Sequence, residues 1–241
     1  LFQVDVHEEK DIKEIVFLTS LEAGEQKNYY IYYTQNGQAW PKQERYTQAT
    51  NMPGWESELY TYRSYGPLAI DLFARNNDQN ELMLHRFYNS KNQQIYNYHE
   101  ESKFGLDILH LGQTVGLAGV GMYNMGKTVI PQESFDSEVV TSGPVRSIVQ
   151  MELGAWETGF GNISISRQAT IYAHHYETQI EDHINGNIDA LYAIGIGKEE
   201  NAKTDFDESE GLFLQWHNQG DDIGEAGIGI YLGTENLENL V

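Results

Sequence analysis

The chain of 241 residues contains no cysteine, which excludes disulfides, a thiolate nucleophile and any cysteine-ligated zinc. Basic residues are scarce, with Lys+Arg at 15 against Asp+Glu at 36, and the net charge is −21. A field of that sign repels nucleic acid and anionic lipid, so neither is expected as a partner. It also opposes an anionic substrate unless basic groups reverse it locally, and Arg63, Arg75, Arg86 and Arg146 are the candidates for that reversal. No apolar run is long enough to span a bilayer as a helix, and no signal peptide is visible. The chain starts at Leu1, without methionine, and enters the strand-like Phe2-Gln3-Val4-Asp5-Val6 directly. This suggests a processed or truncated N-terminus, which leaves room for an export signal ahead of it. A periplasmic or secreted location is the corresponding expectation.

Several chemistries lack their motifs as well. There is no Gly-x-Ser-x-Gly elbow and no His-Glu-x-x-His zinc motif. The glycine-spaced segment Gly116 to Gly121 has no Lys-Ser/Thr and no following helix, so it is not a phosphate loop. The acidic loops 199–210 and 220–225, the latter with Asp221-Asp222, offer oxygen ligands for a structural calcium ion. They have no EF-hand spacing, and solvated loops are the simpler reading. No metal site and no cofactor are expected otherwise.

Hydrophobic residues at 40% and aromatics at 12% describe a globular chain, and the pattern is β almost throughout. Glu14 to Leu18 and Asn28 to Tyr33 read as short strands rich in β-branched and aromatic residues. Asn36-Gly37 reads as a turn, followed by an irregular polar segment over 38–56. Met122-Tyr123 and Thr128-Val129-Ile130 flank a turn at Asn124-Met125-Gly126. From Gly143 to Leu153, Val145, Ser147, Val149, Met151 and Leu153 share one face, and Arg146, Gln150 and Glu152 the other. Residues 162–184 form one long strand or two in series, with Ala169, Ile171 and Ala173 on a core-like side and Tyr172, His174 and Tyr176 opposite. Asn185-Gly186 is a strong hairpin signal leading to Leu191-Tyr192-Ala193-Ile194, and further strands follow at Leu212 to Trp216 and Gly227 to Leu232. No amphipathic helix, fixed-period repeat or linker interrupts this series. A single all-β domain over 1–241, a sandwich or barrel of short strands, is expected.

The stretch from Trp55 to Gly121 holds the candidate site. It crowds aromatic rings around Arg63, His99 and His110. Rings give flat platforms with polar tips, arginine a planar fork for a carboxylate, and histidine a proton carrier near neutral pH. A sugar acid would engage all three. The plainer alternatives are that each histidine is an ordinary hydrogen-bonded side chain and that Arg63 pairs with Glu56 or Glu58. The pair His174-His175 is poor as a metal motif, because neighbours on a strand point to opposite faces. Of the two, His174 suits a site better, since it shares its side with Tyr172 and Tyr176.

A resemblance enters on particular residues: Trp55-Glu56-Ser57, Tyr62-Arg63, Tyr65 and Ile70-Asp71, then Tyr98-His99, Gly105-Leu106-Asp107-Ile108-Leu109 and Gly119-Val120-Gly121, then Ser142-Gly143-Pro144-Val145-Arg146. This order resembles the domain-of-unknown-function 4861 family, found in bacterial polysaccharide-utilisation systems. The resemblance implies a β-supersandwich of large antiparallel sheets, galactose-mutarotase-like, from which the first strands are missing. It also implies a dehydratase that removes water from the terminal uronic acid of acidic, ulvan-type oligosaccharides.

That chemistry needs a neutralised carboxylate, a base for the C5 proton and an acid for the departing 4-hydroxyl. Arg63, with Arg146 in reserve, is assigned to the carboxylate, and His99 and His110 to proton transfer. Tyr62, Tyr65 and Tyr98 are alternative acids or ring platforms, while Trp55, Tyr172 and His174 would line the sugar site. Three alternatives stay open: a polysaccharide lyase using the same β-elimination, a mutarotase-like epimerase with a histidine acid and a carboxylate base, and a non-catalytic glycan-binding domain. The substrate partner is an acidic oligosaccharide in the first reading.

Overall fold

Strands with alternating apolar residues have one side to bury, and two large sheets here bury theirs against each other. The computed structural model describes residues 1–7, 12–31, 44–66, 68–75, 82–87, 93–109, 114–132, 134–198, 201–218 and 224–233. In chain order the first strands are β1 (Phe2–His7), β2 (Ile12–Phe17), β3 (Thr47–Thr50), β4 (Gly54–Ser57), β5 (Thr61–Tyr65), β6 (Ala69–Arg75), β7 (Gly105–Asp107), β8 (Leu117–Asn124) and β9 (Lys127–Val129). Then come β10 (Phe135–Ser142), β11 (Arg146–Glu157), β12 (Gly161–Tyr172), β13 (Thr178–Ile188), β14 (Leu191–Ile196), β15 (Lys203–Asp207), β16 (Leu212–Asn218) and β17 (Glu225–Tyr231). One helical turn, α1 (Leu84–Phe87), lies between β6 and β7.

The larger sheet has eight strands in the order β14-β8-β6-β5-β4-β3, with β7 beside β6 and β9 beside β8. A four-stranded sheet runs β10-β11-β12-β13, and β1-β2 and β15-β16-β17 form two smaller sheets. The pairings are antiparallel. The protein is an all-β sandwich. Its core lies between the large sheets: Trp55, Tyr62, Ile70, Leu72, Val120 and Met122 from one, Val149, Met151, Leu153, Ile165 and Ile171 from the other. The face anticipated for 143–153 is the buried one, since Val145, Ser147, Val149, Met151 and Leu153 are all buried.

Some elements differ from what the sequence suggests. Residues 28–31 are not strand, and the remainder of that expected strand and the Asn36-Gly37 turn lie outside the described residues. The irregular segment over 38–56 contains β3 and β4. The stretch 162–184 is two antiparallel strands folded back at 173–177.

The Asn185-Gly186 hairpin is absent: β13 runs straight through it, pairing Asn185 with Ser164 and Gly186 with Ile163. Gly186 is in an extended mirror conformation (φ 135°), and a Cβ there would lie 2.3 Å from the Asn162 carbonyl oxygen. Close approach of the neighbouring strand demands this glycine, not a turn. The Met125-Gly126 turn does form, with φ of 47° and 79°, joining Asn124 to Lys127 in a two-residue hairpin.

Candidate functional site

Alternation along β5 decides which side chains can meet. Tyr62 points into the core, so its neighbours Arg63 and Thr61 point the other way. The register sets Arg63 opposite Asp71 on β6, and Phe73 opposite Asp107 on β7. On this outer face Arg63, Tyr65, Asp71, Asp107 and Leu109, together with Tyr98 and His99, line an open cleft of about 530 Å³.

The loop carrying those two residues is fixed at several points. The backbone N–H of Asp107 donates to the Tyr98 carbonyl at 2.8 Å, and the Tyr98 ring packs on Phe73 and edge-on to Phe87. The His99 N–H donates to Asn97 Oδ1 at 3.1 Å. The Arg63 guanidinium lies 4.5 Å over the Tyr98 ring and donates from Nη2 to Asp71 Oδ2 at 2.5 Å. Asp107 is buried, accepts the Leu109 N–H at 3.0 Å through Oδ1, and stands 3.5 Å from His99 Nδ1 through Oδ2. The His99 ring is about half exposed. It is a solvent-facing imidazole backed by a buried carboxylate, the arrangement that orients a proton-transferring histidine.

Electrostatics singles out Asp71. Burial pushes its carboxyl up to about 6, with the nearby charge of Asp107 adding to this; the Arg63 guanidinium, by charge and hydrogen bond, and His99 pull the other way. Asp71 can therefore hold or release a proton under mild conditions. Burial, with Asp71 and Asp107 close by, pushes the Tyr65 hydroxyl well above its ordinary value. Tyr65 is therefore suited to hydrogen bonding and not to accepting a proton as a base.

Four anticipated site residues thus converge: Arg63, Tyr65, Tyr98 and His99. Others do not. Trp55 is wholly buried, stacks on Tyr62 and donates from Nε1 to Thr178 Oγ1 at 2.9 Å, so it is core and not a sugar platform. Tyr62 is buried too, its hydroxyl donates to the Tyr176 carbonyl, and burial raises its pKa, which removes it from the catalytic candidates.

Arg146 lies on β11, where it holds β1 and β2 through Asp5 (2.8 Å) and Glu14, and it is not among the cleft residues. Tyr172 stands opposite Arg146 in the register and likewise lies outside the cleft. His174 sits in the β12–β13 connection, clamped by the buried Glu58 carboxylate at 2.6 Å from Nδ1 and 3.0 Å from its backbone N. Of the other arginines that could have reversed the field, Arg75 is engaged by the buried Glu56 at 2.8 Å, and the Arg86 side chain lies outside what the structure describes. His110 and the loop pair Asp221-Asp222 lie outside the described residues.

Asp71 and Asp107 were not anticipated as site residues. A signal for Asp71 existed in Ala69-Ile70-Asp71-Leu72-Phe73: a carboxylate inside an apolar strand requires a partner or a function. Asp107 carries a similar signal between Leu106 and Ile108.

A protein of Formosa agariphila described as "uncharacterized protein P7" is 21% identical over 148 residues, covering 55% of this chain and 37% of that protein. The matched stretch is thus well under half the length of that relative. No solved structure matches. Residues 2–239 match the family described as a domain of unknown function, DUF4861, and the chain belongs to that family.

Proposed function

We propose that the cleft removes water from the terminal uronic acid of an acidic oligosaccharide, leaving a 4,5-unsaturated sugar. The observation carrying this reading is the convergence of Arg63, Asp71, His99 and Asp107 around one open cleft with the rings of Tyr65 and Tyr98. Together they supply a cation, two groups able to move protons, and a ring-lined wall with the Tyr65 hydroxyl for a sugar's own hydroxyls.

In this reading His99, oriented by Asp107, takes the C5 proton. The C5–H electron pair forms the C4=C5 double bond, the C4–O bond breaks, and the protonated Asp71 delivers its proton to the departing hydroxyl, which leaves as water. His99 then loses its acquired proton and Asp71 regains one, both through solvent. The Arg63–Asp71 pair has a definite part. While Asp71 is ionised, it holds the guanidinium at 2.5 Å. Protonating Asp71 cancels that negative charge and turns Arg63 toward the substrate carboxylate, where charge builds as the C5 proton leaves. Each proton-transfer group contributes on the order of 10²–10⁴-fold. If a sugar occupied O4 instead of hydrogen, the same steps would cleave a chain.

A mutarotase-like epimerase is the second reading, favoured by the fact that Arg63 already holds a carboxylate. One experiment separates these readings. Uronate-terminated oligosaccharides are incubated with the protein, following ultraviolet absorbance of the conjugated double bond and the product masses. The dehydratase gives rising absorbance and a product lighter by one water. Shortened chains indicate a lyase, and unchanged mass with altered stereochemistry an epimerase. Neither absorbance nor mass change with any uronate would remove the elimination reading.

A further inference from the structure

The three-stranded sheet β15-β16-β17 has a second surface that the cleft chemistry does not use. Its inner side carries Ala226, Ile228 and Ile230 against the core. By alternation, Trp216 faces outward, and the register sets it between Lys203 on one neighbouring strand and Gly227 on the other. Two positions along, Leu214 stands between Asp205 and Gly229, and two further still Leu212 faces Tyr231.

The glycines determine how the large ring lies. A Cβ at Gly227 would come within 3.0 Å of Trp216 Nε1 and 3.2 Å of Cδ1, so the indole rests flat across the glycine backbone. One ring face is thereby seated on the sheet and the other is left to solvent; Trp216 is 41% exposed and Tyr231 69% exposed. Among the described tryptophans it differs in this from Trp55 and Trp156, which are 0% and 2% exposed. The two exposed rings are separated by four strand positions, roughly 13 Å at 3.3 Å per residue. A flat ring immobilised by packing loses little entropy when a flat ligand covers it.

We propose that this outer face is a glycan-binding platform, on which a neutral sugar chain stacks an apolar pyranose face on Trp216 and extends toward Tyr231. The neighbouring charges indicate the ligand. Lys203 is a donor and Asp205 an acceptor, both exposed in the adjacent row and about 4.8 Å away across the sheet. A sugar hydroxyl, at once donor and acceptor, satisfies both. The row holds no excess of basic residues, and the net charge of −21 opposes a polyanion there. Exposed charges beside the rings also disfavour a second copy of this chain as occupant. The platform is built on other strands than the cleft and does not depend on what the cleft catalyses.

The test is titration of the full chain with neutral xylo-, gluco- and manno-oligosaccharides, and with an oligouronate for comparison, following tryptophan fluorescence and calorimetric heat. At least one neutral series should bind with a change in indole emission and little sensitivity to salt. Trp216→Ala should weaken that binding about tenfold or more. Gly227→Ala, whose added methyl shifts the indole by a few tenths of an ångström from its seat, should weaken it modestly with the fold intact by circular dichroism. Asp71→Asn in the cleft should leave it unchanged, which separates failure of the platform from failure of the elimination chemistry. Absence of binding to every neutral series, undiminished binding by Trp216→Ala, binding of the oligouronate alone, or self-association abolished by Trp216→Ala would each overturn the proposal.

Discussion

At the scale of single residues the chemistry turns on Asp71. Its carboxyl is pushed up to about 6 by burial and by Asp107, against the pull of Arg63. As a general acid it works protonated, so kcat/KM for the proposed dehydration should fall as pH rises through about 6. Asp71→Asn should lower kcat by roughly 10²–10⁴-fold and abolish that limb of the profile. A wild-type profile still flat well above that pH would contradict this assignment of the acid. The same group links stability to pH. An unfolded aspartate titrates near 3.9, so the fold binds this proton more tightly than the unfolded chain does. That contribution is fully present below about pH 4 and is lost as pH rises through about 6. Urea midpoints measured across this window should show wild type losing stability relative to Asp71→Asn with increasing pH, and the opposite trend would reverse the inferred shift.

At the scale of strands, alternation separates core from cleft, and it explains what the sequence made legible. The all-β class and the inward face of β11 could be read from period two, and Arg63, Tyr65, Tyr98 and His99 from their chemistry. Tyr62 could not share a site with Arg63, since adjacent strand residues face opposite ways. Trp55, directly opposite Tyr62 in the register, follows it into the core. The pairing of Arg63 with Asp71 required knowing that β5 and β6 form a hairpin in that register, which no local pattern states. The Asn185-Gly186 signal misled because a glycine needed for close strand approach has the same letter as one needed for a turn. Two stability measurements follow. Trp55→Ala should cost about 3–5 kcal/mol in denaturant unfolding, as expected for a wholly buried indole, whereas a sugar-platform tryptophan would cost little. Gly186→Ala should cost on the order of 1–3 kcal/mol, whereas alanine at a tolerant turn position would change stability only slightly.

Across the whole molecule, the sandwich is fastened by a polar bolt within its apolar core. Arg167 is 0% exposed and donates from Nε and Nη2 to both oxygens of Asp182 at 2.7 Å, with Tyr192 of the opposite sheet donating to the same carboxylate. Its Nη1 donates to the carbonyls of Leu68 and Ala118, at 2.6 and 2.8 Å, both residues in left-handed backbone. Leu68 precedes β6, so the bolt reaches the hairpin that presents Tyr65 and Asp71 to the cleft. Arg167→Met should destabilise the fold by about 3–5 kcal/mol, because it strands a buried carboxylate. Combining it with Asp182→Leu should restore part of that loss, and strict additivity of the two would argue against a coupled pair. The cleft that this scaffold holds is tested most directly by incubating wild type, His99→Ala and Asp71→Asn with a uronate-terminated oligosaccharide and weighing the products. Wild type should yield a species lighter by one water that absorbs as a conjugated alkene, and both folded variants should fail to produce it. Formation of that species at wild-type rate by either variant, or its absence with the wild-type protein, would contradict the proposed chemistry.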